Sequence, residues 1–177
     1  MVLSLNACAD VARTPGDAST QYGSNDAYCY RVRPAPDKAR WRTCTSGPIP
    51  APAVEAEAKQ FAPVVEAATV FVVRRSARDH SERIMVEVDD SRSVFETIPR
   101  SFARLRLPPG SHAVSFTWRG VRYTQPMQLR AGEVRFVELN ASGDVGGLQY
   151  GWESSAGSIA RDEAMLSKLV ADLDLRS

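Results

Sequence analysis

A chain of 177 residues, 44% hydrophobic and 24% charged, is the size of one core domain with appendages. Its formal net charge of +1 excludes a global field that would draw it to nucleic acid or to an anionic membrane surface, and no nucleic-acid-binding signature stands in its place. No run of 18 or more apolar residues exists, so no helix of this sequence is predicted to span a bilayer.

Residues 1 to 10 read M-V-L-S-L-N-A-C-A-D, with apolar residues leading into small ones and then Cys8. This resembles the end of a bacterial lipoprotein signal peptide, with Leu5 three before the cysteine, Ala7 directly before it, and Asn6 a less usual occupant between them. A leader also needs a basic start and an apolar stretch of about 7 to 15 residues, whereas seven residues precede Cys8. A start codon assigned too far downstream reconciles the two. Residues 1–8 are therefore read as the remnant of a leader and Cys8 as a lipidation site, giving a periplasmic protein held at a membrane by its lipid alone. Secretion through a small-residue site at Ala7 and Ala9, and a cytosolic chain, are the alternatives.

Residues 9–53 read as an irregular linker, small and polar over 9–27 and proline-rich over 47–53. Within it Cys29 and Cys44 are the two cysteines left once Cys8 is lipidated, an even number that fits a disulfide in an oxidising compartment. Closing such a loop is worth about 3 kcal/mol in the chain-entropy model. Two free thiols are the alternative. Zinc is disfavoured, because no close cysteine pair or nearby histidine supplies further ligands. Residues 54–61 hold good helix formers, enough for two turns before Pro63.

From Ala68 the period changes to two. A-T-V-F-V-V-R-R reads as a central strand because it is apolar almost throughout. Ile84, Val86 and Val88 alternate with Met85 and Glu87, and Asp89, Asp90 and Ser91 supply a turn into a short strand over 94–98. Ala103, Leu105 and Leu107 share one face and Arg104 and Arg106 the other, ahead of a Pro108-Pro109-Gly110 corner read as a hairpin-like type II turn. Beyond it His112, Val114, Phe116 and Trp118 are in phase. Gly120 and Ala131-Gly132 then bend the chain between further alternating runs. Six or seven strands at this spacing predict a mainly antiparallel, Ig-like or transthyretin-like β-sandwich over 54–140.

The stretch 58–139 resembles the bacterial family called Domain of Unknown Function 2846. The matching features are A-K-Q-F-A-P at 58–63, the strand ending in Arg at 68–75, V-E-V-D-D at 86–90, L-R-L-P-P-G-S-H at 105–112 and L-R-A-G-E-V-R-F-V at 129–137. Asp89-Asp90 stands where the family usually shows Asp-Gly. The resemblance implies a small envelope protein, often a lipoprotein, with no established activity.

Residues 141–157 read as a Gly-rich connector carrying Tyr150 and Trp152, which either anchor it to the domain or form an exposed interaction surface. Over 158–177, Ile159, Met165, Leu166, Leu169, Val170 and Leu173 form a stripe at helical spacing and predict an amphipathic helix. Catalytic and metal-binding candidates are few. His112 starts a strand in phase with the core, and His80 lies in a polar loop beside Asp79 and Ser81, an adjacency that does not make a triad. Glycines 143, 146 and 147 lack phosphate-loop spacing. No catalytic residue, cofactor or metal is expected. The expected function is an envelope structural or interaction module that binds another protein or a glycan. The alternative is a small-ligand-binding protein or hydrolase with Arg100, Arg119 and Arg122 converging in a cleft at the sandwich end.

Overall fold

The computed structural model describes residues 27–31, 42–75, 82–90, 93–144, 147–153 and 157–177. The elements in chain order are β1 (Cys29–Arg31), β2 (Arg42–Cys44), α1 (Pro52–Ala58), β3 (Ala68–Arg74), β4 (Ile84–Val88), β5 (Ser93–Thr97) and β6 (Ser101–Leu107). They continue with β7 (Gly110–Trp118), β8 (Val121–Leu129), β9 (Val134–Asp144), β10 (Gly147–Glu153), α2 (Gly157–Leu166) and β11 (Lys168–Asp174). Among the described residues nine strands make two facing sheets, one in the order β10-β9-β3-β6-β11 and the other β5-β4-β7-β8, while β1 and β2 pair with each other. The protein is thus a mainly β, sandwich-like domain with a helix near its carboxy terminus.

Period two decides what lies between the sheets. Val70 and Val72, Ala103, Leu105 and Leu107, Ile84, Val86 and Val88, and Val114 and Phe116 all fall on inner faces and form one apolar cluster. Seven fully buried residues make β3 the centre of its sheet, as its continuous apolar run predicts. The Pro-Pro-Gly corner differs from the hairpin expected. β6 already pairs with β3 and β11, so it has no edge to offer β7, and the corner carries the chain across to the other sheet. Two prolines without N–H groups suit a crossing that makes no ladder, and Gly110 takes the positive φ of 142° that the bend demands. The turn after β8 is also a crossing between sheets. The tight hairpin is at Arg119-Gly120, where φ of 49° and 79° joins Trp118 to its partner Val121. At the β4–β5 turn both Asp89 and Asp90 have positive φ, 46° and 53°, a conformation that aspartate tolerates better than most residues.

Three expectations are corrected. The carboxy-terminal helix ends at Leu166, and residues 168–174 form β11, parallel to β6. K-L-V-A-D-L-D fits either period, and the otherwise unpaired edge of β6 selects the strand. The helical stripe fails with it, since α2 buries Ala160 and Ala164 while Ile159, Met165 and Leu166 are 48%, 50% and 67% exposed. The Gly-rich connector holds β10, a hairpin partner of β9, so the sandwich extends well past residue 140 and has nine strands among the described residues rather than six or seven. The five-stranded sheet is mixed, because β3–β9 and β6–β11 run parallel.

A second apolar cluster lies outside the five-stranded sheet. Phe71, Val73, Phe102 and Leu169 project from its outer face and meet Ala58, Phe61 and Ala164 from α1, the following turn and α2. Phe71 packs edge-on to Phe61 at 4.9 Å and stacks on Phe136 at 5.1 Å.

Candidate functional site

The 9–53 region is not wholly a linker. Cys29 stands directly opposite Cys44 across β1 and β2, and the two are joined in a disulfide. Thr45 and Tyr28 extend the pairing, the Thr45 amide donating to the Tyr28 carbonyl at 2.8 Å and the Tyr28 amide to Thr45 Oγ1 at 3.1 Å. The ribbon docks on the sandwich. The Tyr28 hydroxyl donates to the Arg100 carbonyl at 3.3 Å, and the Ser46 amide to Glu96 Oε2 on β5 at 2.9 Å. Burial pushes the Tyr28 phenol up to about 12, against the opposing pull of the Arg100 guanidinium.

Arg42 completes this site. It stands two residues before Cys44, on the same face of the strand, and its Nε lies 3.1 Å from Cys44 Sγ. Its Nη2 lies 2.9 Å from Cys29 Sγ, so one guanidinium spans both sulfurs. The spacing R-T-C was visible in the sequence, but only the pairing of β1 with β2 brings Cys29 to the same cation.

Tyr150 and Trp152 are anchors. Tyr150 is 2% exposed, which removes the exposed-surface reading for it, and its ring lies between Trp118, 4.6 Å away edge-on, and Arg74, 5.3 Å away. Trp152 is half-buried, packs on Phe116 at 5.2 Å and donates from Nε1 to the Tyr123 carbonyl at 3.1 Å. Both are held because β10 lies at the sheet edge beside β8. Arg74 was missed as an interior residue although it is in phase with Val70 and Val72. It is fully buried, and its Nη1 donates to the Thr97 carbonyl at 2.7 Å.

His112 is clamped. Its Nδ1 lies 2.7 Å from Asp89 Oδ2 and its Nε2 2.8 Å from the Pro108 carbonyl, while Asp89 Oδ1 accepts from the Ala113 amide at 2.9 Å. Both ring nitrogens are engaged in holding the β4–β5 turn against the Pro-Pro-Gly corner. The three arginines of the cleft reading stand in different surroundings. Arg122 reaches Glu87, Asp90 and Ser115 on the outer face of the four-stranded sheet. Arg119 lies over the Trp118 ring at 5.6 Å, and Arg100 stands at the β5–β6 corner beside Tyr28. Cys8, His80 and Gly146 lie outside the described residues; Gly143 and Gly147 flank the β9–β10 hairpin, where a Cβ on Gly143 would come within 2.5 Å of the Gly147 carbonyl oxygen.

Two ion networks bind the covering elements to the five-stranded sheet. Glu55 of α1 receives Lys59 Nζ at 2.7 Å from the end of its own helix and Lys168 Nζ at 2.6 Å from β11, so Lys168 ties α1 to the start of that strand. Burial drives the Glu55 carboxyl up, but Lys168 and Lys59 together outweigh it and hold it below the usual range. Arg104 grips Asp172 at 2.8 Å through both Nε and Nη2 and Glu57 at 2.9 Å through Nη1. Burial raises Asp172, and the hydrogen bonds and charge of Arg104, then Arg106, overcome it and leave the carboxyl below its ordinary value.

A scan against protein-family models finds no match for this chain, and a search of curated proteins finds none either.

Proposed function

We propose that the chain is a cell-envelope module, a β-sandwich exported from the cytoplasm, anchored through lipid on Cys8 and binding another envelope protein or a glycan. No enzymatic activity is part of this reading. The observation that carries it is the Cys29–Cys44 disulfide, because such bonds persist in oxidising compartments and are rare in reducing ones. The residues around Cys8 support export, and the resemblance of 58–139 to Domain of Unknown Function 2846 supports an envelope lipoprotein. The finer kinship with Ig-like or transthyretin-like sandwiches belongs to the same proposal. Two facing sheets favour it, and the parallel β3–β9 and β6–β11 pairs depart from it. The second reading, a small-ligand-binding protein or hydrolase, calls for a polar cleft at the sandwich end, and the engagement of Arg122 by Glu87, Asp90 and Ser115 and of Arg119 by the Trp118 ring favours the first.

The test is intact-mass analysis of the chain expressed with its upstream leader in a bacterium that processes lipoproteins. The expected product carries lipid on Cys8, sediments with membranes and has Cys29 and Cys44 oxidised, and Cys8→Ser releases it to the soluble fraction. An unmodified Cys8 behind an intact leader, with Cys29 and Cys44 reduced inside the cell, overturns the reading.

A further inference from the structure

We propose that the Cys29–Cys44 bond is a thiol–disulfide exchange site, opened by a small-molecule thiol at Cys44, with Arg42 holding the departing Cys29 thiolate. The inference concerns the chemistry of this bond and stands apart from the envelope placement proposed above.

The geometry points to it in three ways. First, the Arg42 guanidinium lies within 3.1 Å of both sulfurs although the side chain is solvent-exposed, where hydration competes for it. A disulfide sulfur is a weak neutral acceptor and gains little from such a neighbour, whereas a thiolate gains a charge-assisted hydrogen bond. Arg42 therefore stabilises the opened bond more than the closed one. Second, the two sulfurs differ in access. Cys29 is buried at 8% exposure and Cys44 is only partly covered, so an incoming thiolate reaches Cys44 Sγ and expels Cys29 Sγ, the sulfur 2.9 Å from Nη2. Exchange quickens as the leaving thiol becomes more acidic. Third, β1 and β2 are also paired by the Tyr28–Thr45 hydrogen bonds, and the ribbon is pinned to Arg100 and Glu96. These contacts do not depend on the bond, so the opened sulfurs stay opposite each other and reclosure is intramolecular.

The step balances. A thiolate attacks Cys44 Sγ, a new S–S bond forms there, the Cys29–Cys44 bond breaks and its electron pair remains on Cys29 Sγ beside Arg42. A second thiolate then attacks the sulfur of the bound thiol and releases Cys44 as thiolate. Two small thiols have been oxidised to their disulfide and the protein has gained two electrons, with protons exchanged with water. The reverse sequence closes the bond.

Reduced glutathione is the probe, added to the oxidised folded protein, with acid quenching, alkylation and mass spectrometry of the products. The expected result is a glutathione adduct on Cys44 with a free Cys29, formed about tenfold faster than in Arg42→Gln, with Arg42→Lys recovering part of the rate. Because Arg42 is exposed, the variants retain the fold, which thermal unfolding of the oxidised forms verifies. In the reduced protein, alkylation of Cys29 by iodoacetamide rises at lower pH in the wild type than in Arg42→Gln. Equal rates in wild type and Arg42→Gln, an adduct on Cys29, or opening only at the rate of global unfolding each overturns the proposal and leaves the bond a passive staple.

Discussion

The two outer faces of the sandwich are built from the same alternation and end differently. On the five-stranded sheet the outward positions are Phe71, Val73, Phe102 and Leu169, and α1, α2 and Phe61 cover them. On the four-stranded sheet they include Met85, Glu87, Val94, Ser115 and Arg122, and Met85 and Val94 are 51% and 47% exposed. A sheet with parallel pairs is normally covered on both sides, while an antiparallel sheet tolerates water on one. The chain obeys both halves of that rule within one domain. Ionic contacts follow the same division: on the covered face Arg104 and Glu55 are largely out of water, whereas Arg122 on the bare face is 42% exposed.

The strongest way to break this comparison is to truncate one side chain on each face. Phe71→Ala empties the centre of the covered cluster and is expected to cost about 3–5 kcal/mol in denaturant unfolding, whereas Val94→Ala is expected to stay within about 0.5 kcal/mol. Equal costs would mean that the helices contribute little. Next comes the disulfide ribbon, which belongs to neither face. Replacing Cys29 and Cys44 together by serine is expected to lower stability by about 3 kcal/mol, for a loop of this length, without unfolding the sandwich. A smaller effect would show that Tyr28 and Ser46 already hold the ribbon.

Asp172→Asn sharpens the contrast between buried and exposed ion pairs, with an expected loss of about 2 kcal/mol as Arg104 loses the more buried of its two charged partners. Asp172, Glu55 and Glu57 all have lowered carboxyl pKa values in the folded protein. Their stabilisation is present above the unfolded-state values of 3.8 for Asp and 4.5 for Glu and is lost as pH falls through the folded ones. Acid titration of stability should therefore slope downward below that range, less steeply in Asp172→Asn. A smaller loss than for Asp172→Asn is expected from Tyr28→Phe, about 1 kcal/mol. The folded phenol titrates at about 12 against an ordinary 10.0, so its contribution is full below pH 10.0 and disappears as pH rises toward 12. Wild-type stability should decline across that window and the variant's should not, as unfolding curves at successive alkaline pH values will register.

Local alternation made much of the sandwich legible. Ala103 to Leu107 and Val114 to Trp118 were assigned to the correct faces because a strand's side chains alternate whatever its partner. The candidate site was legible in part: a Cys29–Cys44 bond was one of two readings, beside free thiols, but the docking of the ribbon was not legible, since Tyr28, Arg100 and Glu96 are distant in sequence.

What the sequence by itself determined is the inner core, the place of β3 at the centre of its sheet and the bends at Gly110, Gly120 and Gly132. Those features depend on side-chain period and on backbone conformations that glycine takes most readily. Tertiary structure alone decided that Pro-Pro-Gly crosses between sheets, that residues 147–153 and 168–174 are strands, that α2 buries alanines, and that Arg42 lies against two sulfurs. Each of these turns on which edge stands free to be paired or which face stands open to be covered. That is a property of elements far apart in the chain, and no local window of residues contains it.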